Sequence, residues 1–363
     1  MKNIDAVTAY RPLVLASLDA FIARHQKLSG GGLAWSGDAI ERLRGFATSG
    51  KLLRGSLICY SYAICSGVGA GDSPAEQLPA AVLNTAAAIE LIHAGLLIHD
   101  DIIDQDELRR GQSAIHKQYG QLAARQHLAE ASRLGEGLAL CAGDMILFLG
   151  FELLAMAKSE TLSSLALSQL FVRELTTVCA GQMQDIYLGA LPKPPAKRDI
   201  YAVMRAKTAT YSLALPLEAG AILAGKPSTL RKQLRAVGMA AGIMFQIRDD
   251  ELGSLGRTDD IGKPVGSDIR EGKKTLLYYY LWQAADAAER KRLAAIFGNP
   301  NASSADISYV QQALRHHDTS ARLGEDIKQL EQTAFGHIDR LKLGPAAKAE
   351  LRQLVRFCAA RKF

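Results

Sequence analysis

The stretch EQLPAAVLNTAAAIELIHAGLLIHDDIID, residues 76–104, decides the fold class of this chain. Its apolar residues recur at helical spacing and cover most sides of the helix, which predicts a long helix inside the protein core. The same stretch ends in the acidic sequence DDIID, and an arginine pair follows five residues later. A buried helix that ends in this way needs a chemical reason for its acids.

Most of the remaining chain repeats the helical period, and runs with strict strand alternation are absent. We also find no convincing tandem repeat. The sequence therefore predicts a single all-α domain over residues 1–363. Further long helices are predicted in EGLALCAGDMILFLGFELLAMAKS, TLSSLALSQLFVRELTTVCAGQMQDIYLG, YAVMRAKTATYSLALPLEAGAILAG and RKQLRAVGMAAGIMFQIRDDELG.

Composition limits the function classes. Of the 363 residues, 48% are apolar, and the net charge of +6 is mild for this size, which favours anionic substrates as the use of the positive charge. Basic residues are not interleaved with aromatic ones on one face, so a nucleic-acid binder finds no support. The five cysteines lie in apolar contexts without metal spacing, and no apolar run reaches the roughly 18 to 20 residues of a membrane span. A cytoplasmic protein with buried free thiols is expected.

The acidic end of the first helix has the spacing of a metal site. Asp100 and Asp104 lie about 40° apart on consecutive turns, and Asp101 lies beside them. Like charges in a desolvated place repel each other and would raise one pKa. A magnesium ion removes this conflict and still leaves coordination positions for water and phosphate.

A second acidic cluster repeats the pattern 149 residues later, in FQIRDDELG. Asp249 and Asp250 again end an apolar helix, and Gln246 precedes them by about one turn. One such cluster could be a solvated helix end, but two clusters that each end an apolar helix favour a shared function in metal binding. Two facing clusters could hold several magnesium ions with a diphosphate between them.

Basic residues near the first cluster suit the remaining phosphate charge. Arg109 and Arg110 could bind phosphate in bidentate fashion, and the alternative is a pair of surface charges. Lys51 and Arg54 share one helical face, which alone would indicate only a charged helix start. His93 lies on the stripe of the first cluster, which favours substrate contact over a structural core role.

Other cations and histidines carry weaker signals. Lys207 with Thr208, Lys263, and Lys273 with its neighbour Lys274 supply more positive charge. His99 and His116 are interpreted as structural residues or as supports of the site.

With these motifs the chain resembles the trans-isoprenyl diphosphate synthases, also called polyprenyl synthetases. That family includes farnesyl and geranylgeranyl diphosphate synthases. The resemblance runs in order over residues 50 to 275. It is carried by GKLLRG, ELIHAGLLIHDDIID, LRRGQSAIH, AGD at 142–144, GQMQD at 181–185, AKTA at 206–209, FQIRDD and GKPVGSDIREGKKT.

The resemblance implies an all-α bundle of antiparallel helices around a deep cavity (the isoprenoid synthase fold), usually as a homodimer. It also implies that the enzyme joins isopentenyl diphosphate head-to-tail to an allylic diphosphate, with two or three Mg²⁺ ions for which Mn²⁺ can substitute. The implied metal ligands are Asp100, Asp104, Asp249 and Asp250, and the implied catalytic residues are Asp100, Asp101, Asp104, Lys207 and Asp249. The implied ligands of the allylic diphosphate are Arg109, Lys207, Thr208, Gln246, Lys263 and Lys273. The implied ligands of isopentenyl diphosphate are Lys51, Arg54, His93 and Arg110, and Asp185 would act through a metal-bound water.

The chain departs from the family pattern at several positions. Gly253 stands where the second acidic motif usually has its third aspartate, and Gly256-Arg257 stands where the family usually has Gly-Asp. An aromatic residue five positions before the first motif stops the product at farnesyl length in the family. Gly95 occupies that position here, so we expect an open tunnel and a product longer than C15, most simply geranylgeranyl diphosphate.

Two other functions stay open at this stage. A class I terpene cyclase also ionises allylic diphosphates with magnesium, but it needs no second diphosphate site, and its usual second metal motif is missing. A non-catalytic subunit of a heteromeric synthase would be expected to have lost an acidic cluster, whereas this chain keeps both.

Overall fold

The structure is a computed structural model of the chain. It describes residues 4–28, 34–67, 78–157, 164–255 and 266–360. The predicted all-α fold is confirmed.

Packing divides the chain into two compact units. The N-terminal unit contains Asp5–Leu170 and Ala219–Pro227, and the C-terminal unit contains Met1–Ile4, Phe171–Glu218 and Ser228–Phe363. This division does not test the prediction of a single domain over 1–363, which stays a prediction.

The N-terminal unit is organised around α5, which packs against α2, α3, α4 and α7. Its helices are α1 (Asp5–Thr8), α2 (Arg11–Leu28), α3 (Ala34–Thr48), α4 (Leu53–Ser66), α5 (Ala80–Ile103), α6 (Ile115–Arg125) and α7 (Ala131–Ala155).

Small residues let α5 and α7 approach closely. A Cβ at Gly150 on α7 would lie 2.7 Å from Ile92 Cγ1 and 3.2 Å from the Ala88 carbonyl oxygen, both on α5. Apolar residues of α5 such as Ile89 and Leu91 are fully buried. The prediction of a core helix is confirmed, because α5 is covered by other helices along most of its length.

The loop after α5 forms a short β-hairpin. Strands β1 (Leu108–Arg109) and β2 (Gln112–Ser113) pair antiparallel. The two turn residues, Arg110 and Gly111, have φ values of 55° and 75°, as a type I′ turn requires. Both arginines of the predicted phosphate-binding pair therefore lie on this hairpin.

The C-terminal unit is organised around α11. This helix packs against a π-helical segment, Met204–Ala214, and against α16 and α17. Two helices, α8 (Ser164–Gly189) and α10 (Leu215–Leu223), have residues in both units. The helices that lie wholly in the C-terminal unit are α9 (Lys197–Val203), α11 (Ser228–Leu255), α12 (Ser267–Arg270), α13 (Leu276–Ala284), α14 (Ala287–Ile296), α15 (Ser304–His316), α16 (Thr319–Arg340) and α17 (Pro345–Ala360).

The π-helical segment lies directly on α11. A Cβ at Gly242 would be 2.5 Å from Ala209 Cα, and a Cβ at Gly238 would be 2.7 Å from Ala214 Cα. Only glycine permits this distance, since no side chain fits between the two backbones. π-Helical turns are rare and often occur at functional sites, and this one carries Lys207 and Thr208.

The cysteines only partly match expectation. All five are free, and Cys59, Cys65 and Cys358 are buried, but Cys141 and Cys179 are exposed. Burial raises the pKa of Cys59 to about 12 and that of Cys65 to about 11. The prediction of buried thiols is thus wrong for two cysteines, because their helical positions face outward within the described part of the chain.

The sequence predicts no apolar run long enough to span a membrane, and this prediction is wrong. Among the described residues, three helices are long and apolar enough to cross a membrane, judged by length and composition alone. They are Asp5–Gln26, Ala80–Ile103 and Ala131–Ala155. In Ala80–Ile103, 78% of the apolar window is buried inside the protein, but in Ala131–Ala155 only 39% is. The first of these two values follows from the core position of α5.

Candidate active site

The acidic end of α5 has the predicted geometry. Asp100 and Asp104 lie on consecutive turns, where the Asp104 N–H donates to the Asp100 carbonyl oxygen at 2.8 Å, and both residues are half-buried. Asp101 is fully buried. Asp100 and Asp104 are therefore the two aspartates of the motif that remain partly accessible.

Asp101 binds Arg109 instead of joining that face. Arg109 Nε donates to Asp101 Oδ1 at 2.6 Å, and its NH2 donates to Asp106 Oδ2 at 2.8 Å. The catalytic role predicted for Asp101 stays a prediction. In this structure its carboxylate holds the Arg109 guanidinium, which fits a residue that supports the metal ligands.

Asp106 is a site residue that the sequence reasoning missed. It is buried, and it accepts a hydrogen bond from the Arg109 guanidinium. Its spacing of three residues from Arg109 was the available signal. Two buried carboxylates on one guanidinium fix the direction of the side chain.

The hairpin turns Arg110 away from this pair, toward the loop that precedes Lys51. Arg110 NH1 donates to the Phe46 carbonyl oxygen at 2.9 Å and to Ser49 Oγ at 3.3 Å. A Cβ at Gly50 would lie 2.9 Å from Arg110 NH2. The structure thus brings Arg110 to the GKLLRG stretch, where Lys51 is exposed.

His93 lies among the arginines as a neutral group. It is only 8% exposed, and burial, with smaller contributions from Arg54, Arg110 and Arg109, lowers its pKa well below 6.5. The predicted grouping of His93, Arg54 and Arg110 is therefore present. A neutral imidazole offers one hydrogen-bond donor and one acceptor and adds no charge.

Lys207, Thr208 and Gln246 form the corresponding polar set of the C-terminal unit. Lys207 Nζ donates to Asp185 Oδ2 at 2.7 Å, and Thr208 Oγ1 donates to Gln246 Oε1 at 2.6 Å. Gln246 Nε2 donates in turn to Asp250 Oδ1 at 2.6 Å. The π-helical segment and α11 thereby fix these side chains against each other.

The carboxylates of this set are crowded. Burial raises the pKa of Asp250 well above 3.8, and the charges of Asp268, Asp249 and Asp185 raise it further. A divalent cation would relieve this repulsion. Asp268, on α12, was not predicted, because it lies 15 residues beyond the end of the second motif.

Asp268 also fills the position next to Gly253. A Cβ built at Gly253 would contact Asp268 Oδ2 closely. The carboxylate of Asp268 thus occupies the position that a side chain at residue 253 would take. The absence of the third aspartate of the motif is matched by an acidic group that reaches the same place from α12.

The remaining lysines of the sequence prediction differ in whether they lie near the acidic residues of this unit. Lys273 Nζ lies 2.7 Å from Glu271 Oε2 and 3.5 Å from Asp268 Oδ1. The predicted ligand Lys263 and the departure at Gly256-Arg257 lie outside the described residues. Lys274 is buried against the rings of Tyr278 and Phe297 and is not part of this set.

The acidic residues suit a magnesium ion whose remaining coordination positions are filled by water and substrate phosphates. Among the described residues, no group of three or more His, Cys, Asp or Glu side chains is close enough to hold a metal ion. Magnesium is usually bound by one or two carboxylates together with water and substrate phosphates. The half-buried pair Asp100 and Asp104 and the crowded acids around Asp250 match that mode.

Gly95 does not face open space. A Cβ at this position would lie 2.7 Å from Leu147 Cγ and 2.9 Å from the Gly143 carbonyl oxygen, both on α7. The expectation that Gly95 alone leaves a tunnel open is therefore corrected, because Leu147 fills the space in front of it. The neighbouring His99 lies over Gly143 with its Nε2 3.3 Å from the Leu140 carbonyl oxygen, and the buried His116 lies on α6.

The neutral state of His93 leads to a prediction about pH and stability. Below pH 6.5 the unfolded chain protonates this histidine while the folded protein does not, so its contribution is complete above that pH and is lost toward lower pH. Removal of the titrating group in His93→Gln should flatten the decline between pH 6.5 and 5, by at most about 1.4 kcal/mol per pH unit.

Urea unfolding of the parent and the variant at pH 7.5, 6.0 and 5.0 measures this effect. The exposed His316 provides the matched control, and His316→Gln should retain the pH profile of the parent. Parallel profiles for the parent and His93→Gln would contradict a neutral, buried His93.

Comparison with known proteins identifies the family. The family model described as Polyprenyl synthetase matches residues 41–314. The short chain isoprenyl diphosphate synthase of Methanocaldococcus jannaschii is 33% identical over 266 residues, covering 73% of this chain and 72% of the relative. The geranylgeranyl diphosphate synthase of Saccharolobus solfataricus is 30% identical over 287 residues, covering 76% and 79%.

A solved structure agrees with this result over nearly the whole chain. The geranylgeranyl pyrophosphate synthase of Corynebacterium glutamicum, complexed with isoprenyl diphosphate and magnesium, superposes with a TM-score of 0.89 at 29% identity, covering 98% of this chain and 99% of that one. Together with the paired acidic motifs and the arginine hairpin, these matches show that the chain belongs to the polyprenyl synthetase family, the trans-prenyltransferases that make isoprenyl diphosphates.

Proposed function

We propose that this enzyme condenses isopentenyl diphosphate with an allylic diphosphate (dimethylallyl, geranyl or farnesyl). The observation that carries the proposal is the hairpin after α5, which directs two consecutive arginines to different partners. Arg109 binds the acids at the end of α5, and Arg110 lies at the loop before Lys51. Two arginines directed to different places in one unit suit an enzyme that binds two diphosphates.

The first diphosphate is the leaving group of the allylic substrate. We assign Asp100 and Asp104, and in the C-terminal unit Asp249 and Asp250, as ligands of two or three magnesium ions. Bound magnesium would neutralise charge on the departing pyrophosphate and thereby promote ionisation of the allylic C–O bond. The residues assigned to the diphosphate itself are Arg109, Lys207, Thr208, Gln246, Lys263 and Lys273. Asp185, which accepts a hydrogen bond from Lys207, would hold that lysine in place.

The second diphosphate belongs to isopentenyl diphosphate. We assign Lys51, Arg54 and Arg110 as its cationic partners and His93 as a neutral hydrogen-bonding partner. These residues orient the alkene toward the allylic cation, so that carbon–carbon bond formation competes with capture by water. The proton lost afterwards passes to the released pyrophosphate.

The alternative functions have less support. A terpene cyclase has no use for the Arg54, His93 and Arg110 group, because it binds a single diphosphate. A non-catalytic subunit would not need carboxylates crowded enough to raise the pKa of Asp250. The named relatives are synthases of isoprenyl diphosphates.

A direct assay tests the reaction. The purified protein, given Mg²⁺, isopentenyl diphosphate and a labelled allylic diphosphate, should release chain-extended diphosphates, whereas the allylic substrate alone should give no cyclic hydrocarbon. Asp100→Ala should lower kcat at least about 100-fold, since it removes a magnesium ligand. The control Asp339→Ala breaks only a surface ion pair with Arg352 and should keep the parent rate.

Three outcomes would contradict this proposal. Release of a cyclic hydrocarbon would identify a cyclase. Turnover only after addition of a second protein would identify a subunit. Near-parental activity of Asp100→Ala would remove the role assigned to that carboxylate.

We further propose that the product is longer than farnesyl diphosphate, most simply geranylgeranyl diphosphate. The relatives from Saccharolobus solfataricus and Corynebacterium glutamicum are named as geranylgeranyl diphosphate synthases. Gly95 lies 7.5 Å along α5 from Asp100 at about 1.5 Å per residue, on the side that Leu147 covers. Leu147 would then limit the length of the growing chain at this level.

Substitution at residue 147 tests the length assignment. Leu147→Ala should shift the product distribution by at least one isoprene unit toward longer chains, because it opens the space in front of Gly95. Phe148, the next residue on α7, is 72% exposed, and Phe148→Ala should leave the products unchanged. Identical products from the parent and Leu147→Ala would remove Leu147 from the length-limiting wall.

We also propose a homodimer. Large apolar side chains of α8 are exposed on the single chain, namely Leu165, Val172, Met183, Ile186 and Tyr187. Such a face is unusual for a monomer and suits a second copy of the same surface. Light scattering should give twice 39.1 kDa, and Met183→Glu should shift the mass toward one chain. A parent mass of 39.1 kDa would refute the dimer.

The proposed location is the cytoplasm. Five free thiols, two of them exposed, suit a reducing compartment.

A further inference from the structure

We propose that Glu90, which lies inside the N-terminal unit, is the positioning residue of the isopentenyl diphosphate pocket. The inference rests on the proposed function, because it concerns the residues assigned to that substrate. Glu90 lies on α5, is 4% exposed, and is one of the few buried acids of the described chain. A buried carboxylate is costly unless it is paired and hydrogen-bonded, so its contacts indicate its use.

The first contact is with the start of α4. The Gly55 N–H donates to Glu90 Oε1 at 2.7 Å. At this helix start, the N-cap residue Leu52 has a left-handed conformation with φ 49° and makes no side-chain cap hydrogen bond. The first N–H groups of a helix need acceptors. Glu90 supplies one from another helix and places its negative charge at the positive end of the α4 dipole.

This contact holds α4 firmly on α5. A Cβ at Gly55 would lie 2.5 Å from the Ala86 carbonyl oxygen and 2.8 Å from Val14 Cγ1. Ala86 is one turn before Glu90 on α5, so the helix start lies directly on the α5 backbone. The position of Arg54, the residue before Gly55, is therefore fixed by the same contact.

The second role of Glu90 is electrostatic. Burial raises the pKa of Glu90, while Arg54, the Gly55 N–H and Arg110 oppose that rise. Burial lowers the pKa of Arg110, Glu90 opposes this effect, and Arg109 and Arg54 add to it by repulsion. Glu90 thus offsets the repulsion between guanidinium groups that the pocket brings together.

Glu90 does not need to touch the substrate. Without its charge, Arg54 and Arg110 would repel each other in a partly desolvated place and move apart, and the start of α4 would lose an ionic acceptor. Both changes weaken the binding of isopentenyl diphosphate. The allylic diphosphate is assigned to other residues, so its binding should be unaffected.

Glu90→Gln tests this role, because it keeps the size of the side chain and removes the charge. We expect the KM for isopentenyl diphosphate to rise about tenfold, the size of one charge-assisted hydrogen bond. The KM for the allylic substrate and kcat should stay within about twofold of the parent. Calorimetry with isopentenyl diphosphate alone, without magnesium, should show the same loss of affinity.

The matched control is Glu174→Gln in the C-terminal unit. Glu174 is 2% exposed and binds Arg235 NH2 at 2.7 Å, so it is a second buried acid held by arginine. We expect this variant to lower the melting temperature while leaving both KM values unchanged. A KM change in Glu90→Gln but not in Glu174→Gln separates positioning from general destabilisation.

A mutant cycle with Arg54→Gln identifies the residue through which Glu90 acts. If Glu90 acts through Arg54, Glu90→Gln should add little to the KM of Arg54→Gln. Glu90→Asp, which keeps the charge but shortens the side chain, should give an intermediate KM and serves as the test if Glu90→Gln does not fold. Equal changes in both KM values, an unchanged KM for isopentenyl diphosphate, or full additivity with Arg54→Gln would overturn the inference.

The failure of this inference differs from failure of the proposed function. A parent protein that does not elongate allylic diphosphates contradicts the function itself. A parent that elongates them, together with a Glu90→Gln variant of parental KM, contradicts only the role of Glu90.

Discussion

Compensation of buried charge within the N-terminal unit is the constraint on which the site depends. α5 is a core helix, yet it carries the buried carboxylates Glu90 and Asp101. Each would be costly alone in a medium of low dielectric. Asp101 is paired with Arg109, and the charges of Arg54 and Arg110 oppose the rise that burial causes in the pKa of Glu90. The same arginines that make these acids tolerable are those assigned to substrate, so the stability of the core and the shape of the site are linked.

Much of the fold follows from local patterns in the sequence. Helical periodicity predicts α5, α7 and α11, because an apolar stripe at that spacing must face other helices. The spacing of Asp100 and Asp104 likewise fixes their common face. The partners that complete the site are not visible in this way. Glu90 and Asp268 act on residues brought near by helix packing, and their neighbours in sequence carry no sign of that contact.

Gly95 shows why an absent side chain is a poor indicator of space. From the sequence alone, the missing side chain predicts an opening at this level of the helix. Protein interiors are close-packed, so a neighbouring helix can approach a core helix closely at a glycine. Here α7 does so through Gly143 and Leu147. Gly253 is a second example, with a polar neighbour. The Asp268 carboxylate occupies the position that a side chain at residue 253 would take.

The turn after α5 sets a length scale for the chemistry. Consecutive Cα atoms are 3.8 Å apart across a trans peptide, and this single step separates the arginine assigned to one substrate from the arginine assigned to the other. The two side chains therefore start from neighbouring backbone positions and diverge, one to Asp101 and the other to the Phe46 carbonyl oxygen. A residue inserted in this turn would change the direction of one arginine relative to the other, and it would therefore disturb both proposed diphosphate sites at once.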